Sequence, residues 1–234
     1  MQNRLWEIDT LRGVAIAMMV IFHAAFDLNY LGIIQNSMYA GSWLLLQRAT
    51  ITLFLLLVGV SLYLKYEKTK TFIPFAKRAA FLFAIAILIS TVTWLIAPHE
   101  FIAFGIIHFI ALSTILAYPF LRFYKLNIAI GAALLASSFF FQLPQINTPL
   151  LLWFGFTFPS FQSLDYVPLI PWFGIVLIGI SLAKLAYEKH QFKLTEPKTQ
   201  ITTALQWMGR NSLAIYLAHQ PILFGILKLY TLLH

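Results

Sequence analysis

Apolar residues along this chain gather into long runs separated by short polar connections, which is the pattern of helices that cross a membrane. The runs predict spans near Leu11–Leu31, Trp43–Leu64, Phe75–Ala97, Phe101–Tyr124, Leu126–Phe141, Val167–Tyr187 and Leu205–Leu233. The fold class this implies is all-α: a polytopic transmembrane bundle of about seven spans. The first run follows a short charged N-terminus as a signal peptide would. No Ala-x-Ala site follows it, and the next residues include His23 and Asp27, so it reads as a retained helix. Seven spans of about 20 residues use most of the chain, which makes residues 1–234 a single transmembrane domain. No internal repeat and no low-complexity tract is evident.

The connections test the count, because successive loops alternate in basic content when every span crosses. The second connection, with the span ends beside it, carries Lys65, Lys68, Lys70, Lys77 and Arg78, and the sixth carries Lys184, Lys189, Lys193, Lys198 and Arg210. Arg122 and Lys125 mark the fourth, whereas 32–42, 98–100 and 142–166 hold no Lys or Arg. The basic connections read as cytoplasmic and the others as external, giving an N-in, C-out bundle with Arg4 inside and Arg12 near the inner end of the first span. The segment 142–166, rich in Pro and Phe, is too short to span comfortably and reads as a half-inserted or interfacial cover on the outer face.

Composition agrees. Of 234 residues, 60% are apolar, 16% aromatic and only 10% charged, against about 45–50% apolar and about 25% charged in soluble domains. The mean hydropathy is +0.81. This is an integral membrane protein, and its lipid bilayer is its first partner. The excess of 16 Lys and Arg over 8 Asp and Glu is used in the cytoplasmic connections, so nucleic acid is not expected as a partner. Cysteine is absent, which removes disulfides, thiolate zinc sites and a cysteine nucleophile.

A charge near the bilayer centre costs at least about 2.5–3.5 kcal/mol, so polar residues inside spans carry information. In or beside the first span are Asp9, Arg12, His23 and Asp27; the second carries Arg48, the fourth His108, and the seventh His219, Gln220 and Lys228, of which Lys228 can snorkel outward. Arg12 and His23 are 11 residues apart, near three full turns, so they share a face over roughly 16 Å, and Asp27 continues that face one turn on. Each has a plain structural alternative: Asp9 and Arg12 as a helix-start pair, Asp27 with Arg48 as a buried ion pair, His108 as interhelical glue, His219 with Gln220 as a network at a helix break before Pro221. His23 is hardest to explain that way, because it follows an unbroken apolar stretch. His99, His190 and His234 read as surface residues. No His-x-x-x-His or Glu-x-x-His pair, nucleophile elbow, P-loop or dinucleotide fingerprint is present, so no metal is expected and histidine acid/base chemistry is the best-supported option.

Four stretches carry a family resemblance. Trp6-Glu-Ile-Asp-Thr-Leu-Arg-Gly-Val-Ala15 with Ile21-Phe-His-Ala-Ala-Phe-Asp-Leu-Asn-Tyr30 resembles the opening of the heparan-alpha-glucosaminide N-acetyltransferase catalytic-domain-like family. Phe104-Gly-Ile-Ile-His-Phe-Ile-Ala-Leu-Ser113, Asp165-Tyr-Val-Pro-Leu-Ile-Pro-Trp-Phe-Gly174 and Gly209-Arg-Asn-Ser-Leu-Ala-Ile-Tyr-Leu-Ala-His-Gln-Pro221 extend it across the chain. The first and last also resemble the wider group of membrane acyltransferases that modify bacterial polysaccharides.

The resemblance implies transfer of an acyl group, usually acetyl, from cytosolic acyl-CoA to a sugar hydroxyl or amine outside. Acetyl-CoA is then a co-substrate, a glycan or amino sugar the acceptor, and a prokaryotic cytoplasmic membrane the location. It implies His23 as the catalytic histidine, as general base or acyl carrier, and Arg12 with Asp9 on the acyl-CoA side. Asp27 or Arg48 would set the imidazole's tautomer, and Arg48, His108 or His219 would face the oxyanion. The chain is shorter than the lysosomal enzymes, and its length is compatible with a homodimer. Two other classes fit the same polar residues: a proton-coupled or small-solute transporter, and a structural subunit.

Overall fold

The computed structural model describes residues 5–141, 143–188, 197 and 199–233. Arg4, Lys189, His190, Lys193, Lys198 and His234 lie outside the described residues. The architecture is all-helical: α1 Trp6–Tyr30, α2 Gly41–Thr69, α3 Ile73–Ile96, α4 Ile106–Leu116, α5 Lys125–Phe140, α6 Leu169–Glu188, α7 Gln200–Arg210 and α8 Ser212–Leu233. No strand occurs among the described residues, only one isolated bridge between Phe104 and Tyr166. Among the described residues, five helices are long and apolar enough to cross a membrane: α1, α2, α3, α6 and α8. The fourth and fifth predicted spans are shorter helices, α4 of 11 and α5 of 16 residues.

Contacts divide the chain into two compact units, Met1–Leu57 with Phe192–His234, and Val58–Gln191. In the first unit, Phe22, Ala25 and Met38 form a core against Phe26, Trp43 and Leu46. Glu7 and Asp9 lie in the first turn of α1, where carboxylates offset the helix dipole. The predicted seventh span is two helices: the apolar run from Leu205 to Leu233 breaks at Asn211, whose backbone leaves helical geometry between α7 and α8.

Two glycines set how α7 meets α1. A β-carbon on Gly13 would collide with the Leu205 carbonyl, and one on Gly209 with the carbonyl of Asp9, so the two backbones touch where side chains would hold them apart. These contacts pair 13 with 205 and 9 with 209, so α7 runs against the direction of α1. Further on, His23 meets His219, Asp27 meets Gln220 and Tyr30 meets Phe224, so α8 runs along it.

In the second unit, the turn at 98–105 is clipped to the segment before α6. Leu164 N donates to Glu100 O, Ser163 Oγ to Phe101 O, and Val167 N to Phe104 O. At the other end of these helices, Lys184 Nζ of α6 donates to the Arg122 carbonyl, between α4 and α5. Tyr118, in a 3-10 turn after α4, takes edge contacts from Tyr66, Phe72 and Phe75.

Candidate active site

The polar face expected on α1 carries two separate clusters. The first lies in its opening turns. Asp9 is buried and accepts from Arg12 Nη1 at 3.1 Å and from Arg210 Nε at 3.4 Å. Arg12 also reaches the Gly209 carbonyl at 3.5 Å, and Arg210 Nη2 donates to Gln206 Oε1 at 3.1 Å. One carboxylate thus holds two guanidiniums beside the close α1–α7 contact, a cationic group in which each hydrogen bond is charge-assisted. Arg210, which the sequence offers only as a marker of loop charge, is a full member.

The second cluster lies 14 residues further along, about 21 Å at helical rise. The rings of His23 and His219 meet edge to face, with centroids 4.9 Å apart. His219 Nδ1 is 2.6 Å from the Tyr216 carbonyl, which only accepts, so that nitrogen carries a proton and the neutral ring keeps its lone pair on Nε2. This Nε2 is buried and has no hydrogen-bond partner among the described residues; the same holds for His23 Nδ1. One turn on, Gln220 Nε2 donates to Asp27 Oδ1 at 2.7 Å, while Asp27 Oδ2 and Gln220 Oε1 are buried without partners. Each such atom costs about 1–3 kcal/mol unless something pairs with it. Four at adjacent positions on two helices make a site suited to a group rich in N–H or O–H donors. The carboxylate of Asp27 pairs with Gln220 and with neither His23 nor Arg48. The Arg48 side chain is exposed and makes no hydrogen bond or ion pair among the described residues.

His108 belongs to the second unit and is differently engaged. Gly105 N–H donates to its Nδ1 at 3.3 Å, so the proton of the ring is on Nε2, which lies 3.2 Å from Ser90 Oγ. Ser90 in turn donates to Ile102 O at 2.6 Å. Both ring nitrogens are therefore occupied in joining α3 to the start of α4. Asp165 Oδ2 accepts from Ile106 N at 2.8 Å and caps α4 from across the unit. Beside it, Tyr166 donates its hydroxyl to Leu152 O, and burial pushes its pKa up to about 12. No group of three or more His, Cys, Asp or Glu is placed to hold a metal among the described residues.

Of the residues singled out from sequence, Asp9 and Arg12 join, and His23, Asp27 and His219 join; Arg48 stands apart from both groups, and His108 sits in the other unit. Arg210, Ser90 and Asp165 complete the hydrogen bonding and carry no site role in the sequence reading, whereas Gln220, expected with His219 as a network at a helix break, pairs with Asp27. The family model described as heparan-alpha-glucosaminide N-acetyltransferase, catalytic, matches residues 4–221. Comparison with curated proteins and with solved structures finds no match. The four stretches that carry the family likeness pair in space: the opening with Gly209–Pro221 in one unit, and Phe104–Ser113 with Asp165–Gly174 in the other.

Proposed function

The chain belongs to the heparan-alpha-glucosaminide N-acetyltransferase catalytic family, whose activity is acyl transfer in a membrane, and from that premise we propose that it moves an acyl group, in the first instance acetyl, from cytosolic acyl-CoA to a hydroxyl or amine of a sugar on the outer side of a prokaryotic cytoplasmic membrane. The observation that carries the assignment of the site is the edge-to-face pair of His23 and His219, each with a buried ring nitrogen lacking a partner.

In this reading the imidazole pair is the base. The acceptor oxygen or nitrogen attacks the thioester carbonyl, forming the new C–O or C–N bond, and the C–S bond breaks. His23 or His219 takes the acceptor's proton and returns it to the departing thiolate of CoA, which leaves as the thiol. The Tyr216 carbonyl keeps the His219 Nε2 lone pair facing the site by holding the proton on Nδ1. Asp27 Oδ2 and Gln220 Oε1 accept donors of the acceptor sugar and orient it. An acyl-His23 intermediate is the alternative form of the same chemistry. Asp9, Arg12 and Arg210 form the cationic end where acyl-CoA enters. His108 serves as a structural link, and Arg48 has no partner among the described residues to tie it to either cluster.

The topology that goes with this function is seven spans, N-in and C-out, as a single domain. Two features support it. Helices α1 and α8 run in the same direction, as the first and last of an odd number of crossings must. Within the second unit, Arg122 meets Lys184 at one end while the 98–105 turn meets 163–167 at the other, so α4 and α5 connect the two ends as crossing elements would.

The test is release of free CoA thiol from acetyl-CoA by purified protein in nanodiscs, with a panel of sugars and amino sugars as acceptors. Wild type should release CoA in an acceptor-dependent way. His23→Ala and His219→Ala should each lower turnover by about 10²-fold or more while remaining folded. Wild-type turnover in both variants would defeat the assignment of the base. Solute uptake without thioester consumption would replace the whole reading with a transporter.

A further inference from the structure

The second unit holds a cavity of about 340 Å³ that the acyl-transfer residues do not use. Its lining includes Tyr63, Tyr66, Glu67, Lys70, Arg122 and Lys184, drawn from the end of α2, the turn after α4 and the last third of α6. Three cationic side chains against one carboxylate leave a formal charge of +2. Lys70 folds back over this wall: its Nζ is 2.8 Å from Glu67 Oε2 and 4.8 Å from the centre of the Tyr66 ring.

Lysines near helix C-termini have an ordinary explanation, since they offset the dipole and mark the cytoplasmic side. Lys70 belongs to that explanation: it follows α2 in left-handed backbone, with φ of +52°, and gives its N–H to the Tyr66 carbonyl as helix-terminating residues do. One observation goes beyond it. Arg122 is not in the closing turn of any helix. Its guanidinium stacks on Phe123 at 4.9 Å and has no carboxylate or carbonyl acceptor among the described residues, although its own carbonyl receives Lys184. A planar donor fork at the wall of a concave cationic site matches the oxygens of a phosphate ester.

We propose that this cavity binds the phosphate groups of a ligand. Two sources present that chemistry at the charged end of a bundle: the nucleotide phosphates of CoA, in which case the site rests on the acyl-transfer reading, and the headgroup of an anionic phospholipid, in which case it does not.

The probes are CoA, titrated calorimetrically against protein in phosphatidylcholine nanodiscs, and phosphatidylglycerol, counted by native mass spectrometry after reconstitution in a mixed bilayer. Arg122→Gln and Lys184→Gln should weaken binding of one of the two by at least tenfold, with Arg122→Lys recovering part of it, and the wild-type affinity should fall as salt rises. The ligand that responds identifies the source. Arg122→Gln that melts as wild type does and binds both CoA and phosphatidylglycerol with wild-type affinity overturns the proposal, leaving acyl transfer untouched if thiol release persists. If wild type neither binds CoA nor releases thiol, the acyl-transfer reading fails, and the phosphatidylglycerol count alone decides the cavity.

Discussion

His108 and His219 are both buried histidines on apolar helices, and their hydrogen bonds separate them. The first is neutral with its proton on Nε2 and spends both nitrogens on Gly105 and Ser90; the second donates from Nδ1 and leaves Nε2 empty. Removing His108 strands the Gly105 N–H, so His108→Ala should lower stability by about 1–3 kcal/mol with turnover per folded molecule little changed. His219→Ala should do the reverse, because its Nε2 is already unpaired in the folded protein. Melting temperature and thiol release measured on both variants check the contrast. Tyr166 gives a pH dependence of known sign. Its folded pKa lies near 12, above the ordinary 10, so the unfolded chain ionises first and stability is lost as pH rises through that interval. Tyr166→Phe should flatten that part of the stability profile, read by thermal melts from pH 9 to 12. The cost of polar groups in an apolar run made Asp9, Arg12, His23, Asp27 and His219 legible from sequence. The same reasoning does not reach Arg210, because an arginine at a loop has an inexpensive explanation until its partner Asp9 is seen, and it sets Gln220 beside His219 without finding Asp27 as its partner.

The elements show why spacing on one helix could not complete the site. Asp9 and His23 come from α1 alone, but their partners arrive on α7 and α8, and the join between these two falls in the polar stretch Gln206–Ser212, which the predicted span Leu205–Leu233 absorbs. Hydropathy averages over a window and does not register the single residue Asn211 at which the backbone turns. Gly209 and Asn211 are punctuating residues, yet in lipid both are tolerated within helices, so they did not force a boundary. The short α4 and α5 have the same origin: their apolar residues continue into the flanking turns, and the runs looked long enough to span. The α1–α7 contact depends on Gly13 and Gly209, since a β-carbon at either meets backbone rather than a side chain that can move aside. Gly209→Ala should therefore cost about 1–3 kcal/mol or more, as overpacking does, and should also separate Arg210 from Asp9. The outcome expected is a lower melting temperature together with a weaker affinity for CoA. Gly225, where an added β-carbon meets open space, supplies the control: Gly225→Ala should be neutral or slightly stabilising.

At the scale of the molecule the open quantity is the number of crossings. Five helices among the described residues have the length and apolar character of spans, and a chain crossing only with α1, α2, α3, α6 and α8 would still run N-in to C-out with α1 and α8 in the same sense. Loop charge favours seven, because Arg122 and Lys125 need α4 and α5 to bring them to the side that carries Lys68 and Lys70. The contact of Lys184 with the Arg122 carbonyl, and the cavity Arg122 shares with Lys70, favour seven on separate grounds, since they gather the ends of α2, α5 and α6 at one place. Lys125 distinguishes the two counts. The chain contains no cysteine, so each introduced thiol reports one position. Gln35, Lys68, Lys125 and Asn147 are all exposed and suit single substitutions to Cys. With a membrane-impermeant maleimide on intact cells, Gln35→Cys and Asn147→Cys should label directly, whereas Lys68→Cys and Lys125→Cys should label only after permeabilisation. Labelling of Lys125→Cys from outside, with Lys68→Cys still protected, would establish five crossings, with α4 and α5 folded back on the outer side. It would also put the cationic cavity in conflict with the membrane, because Arg122 and Lys70 could not then line it together.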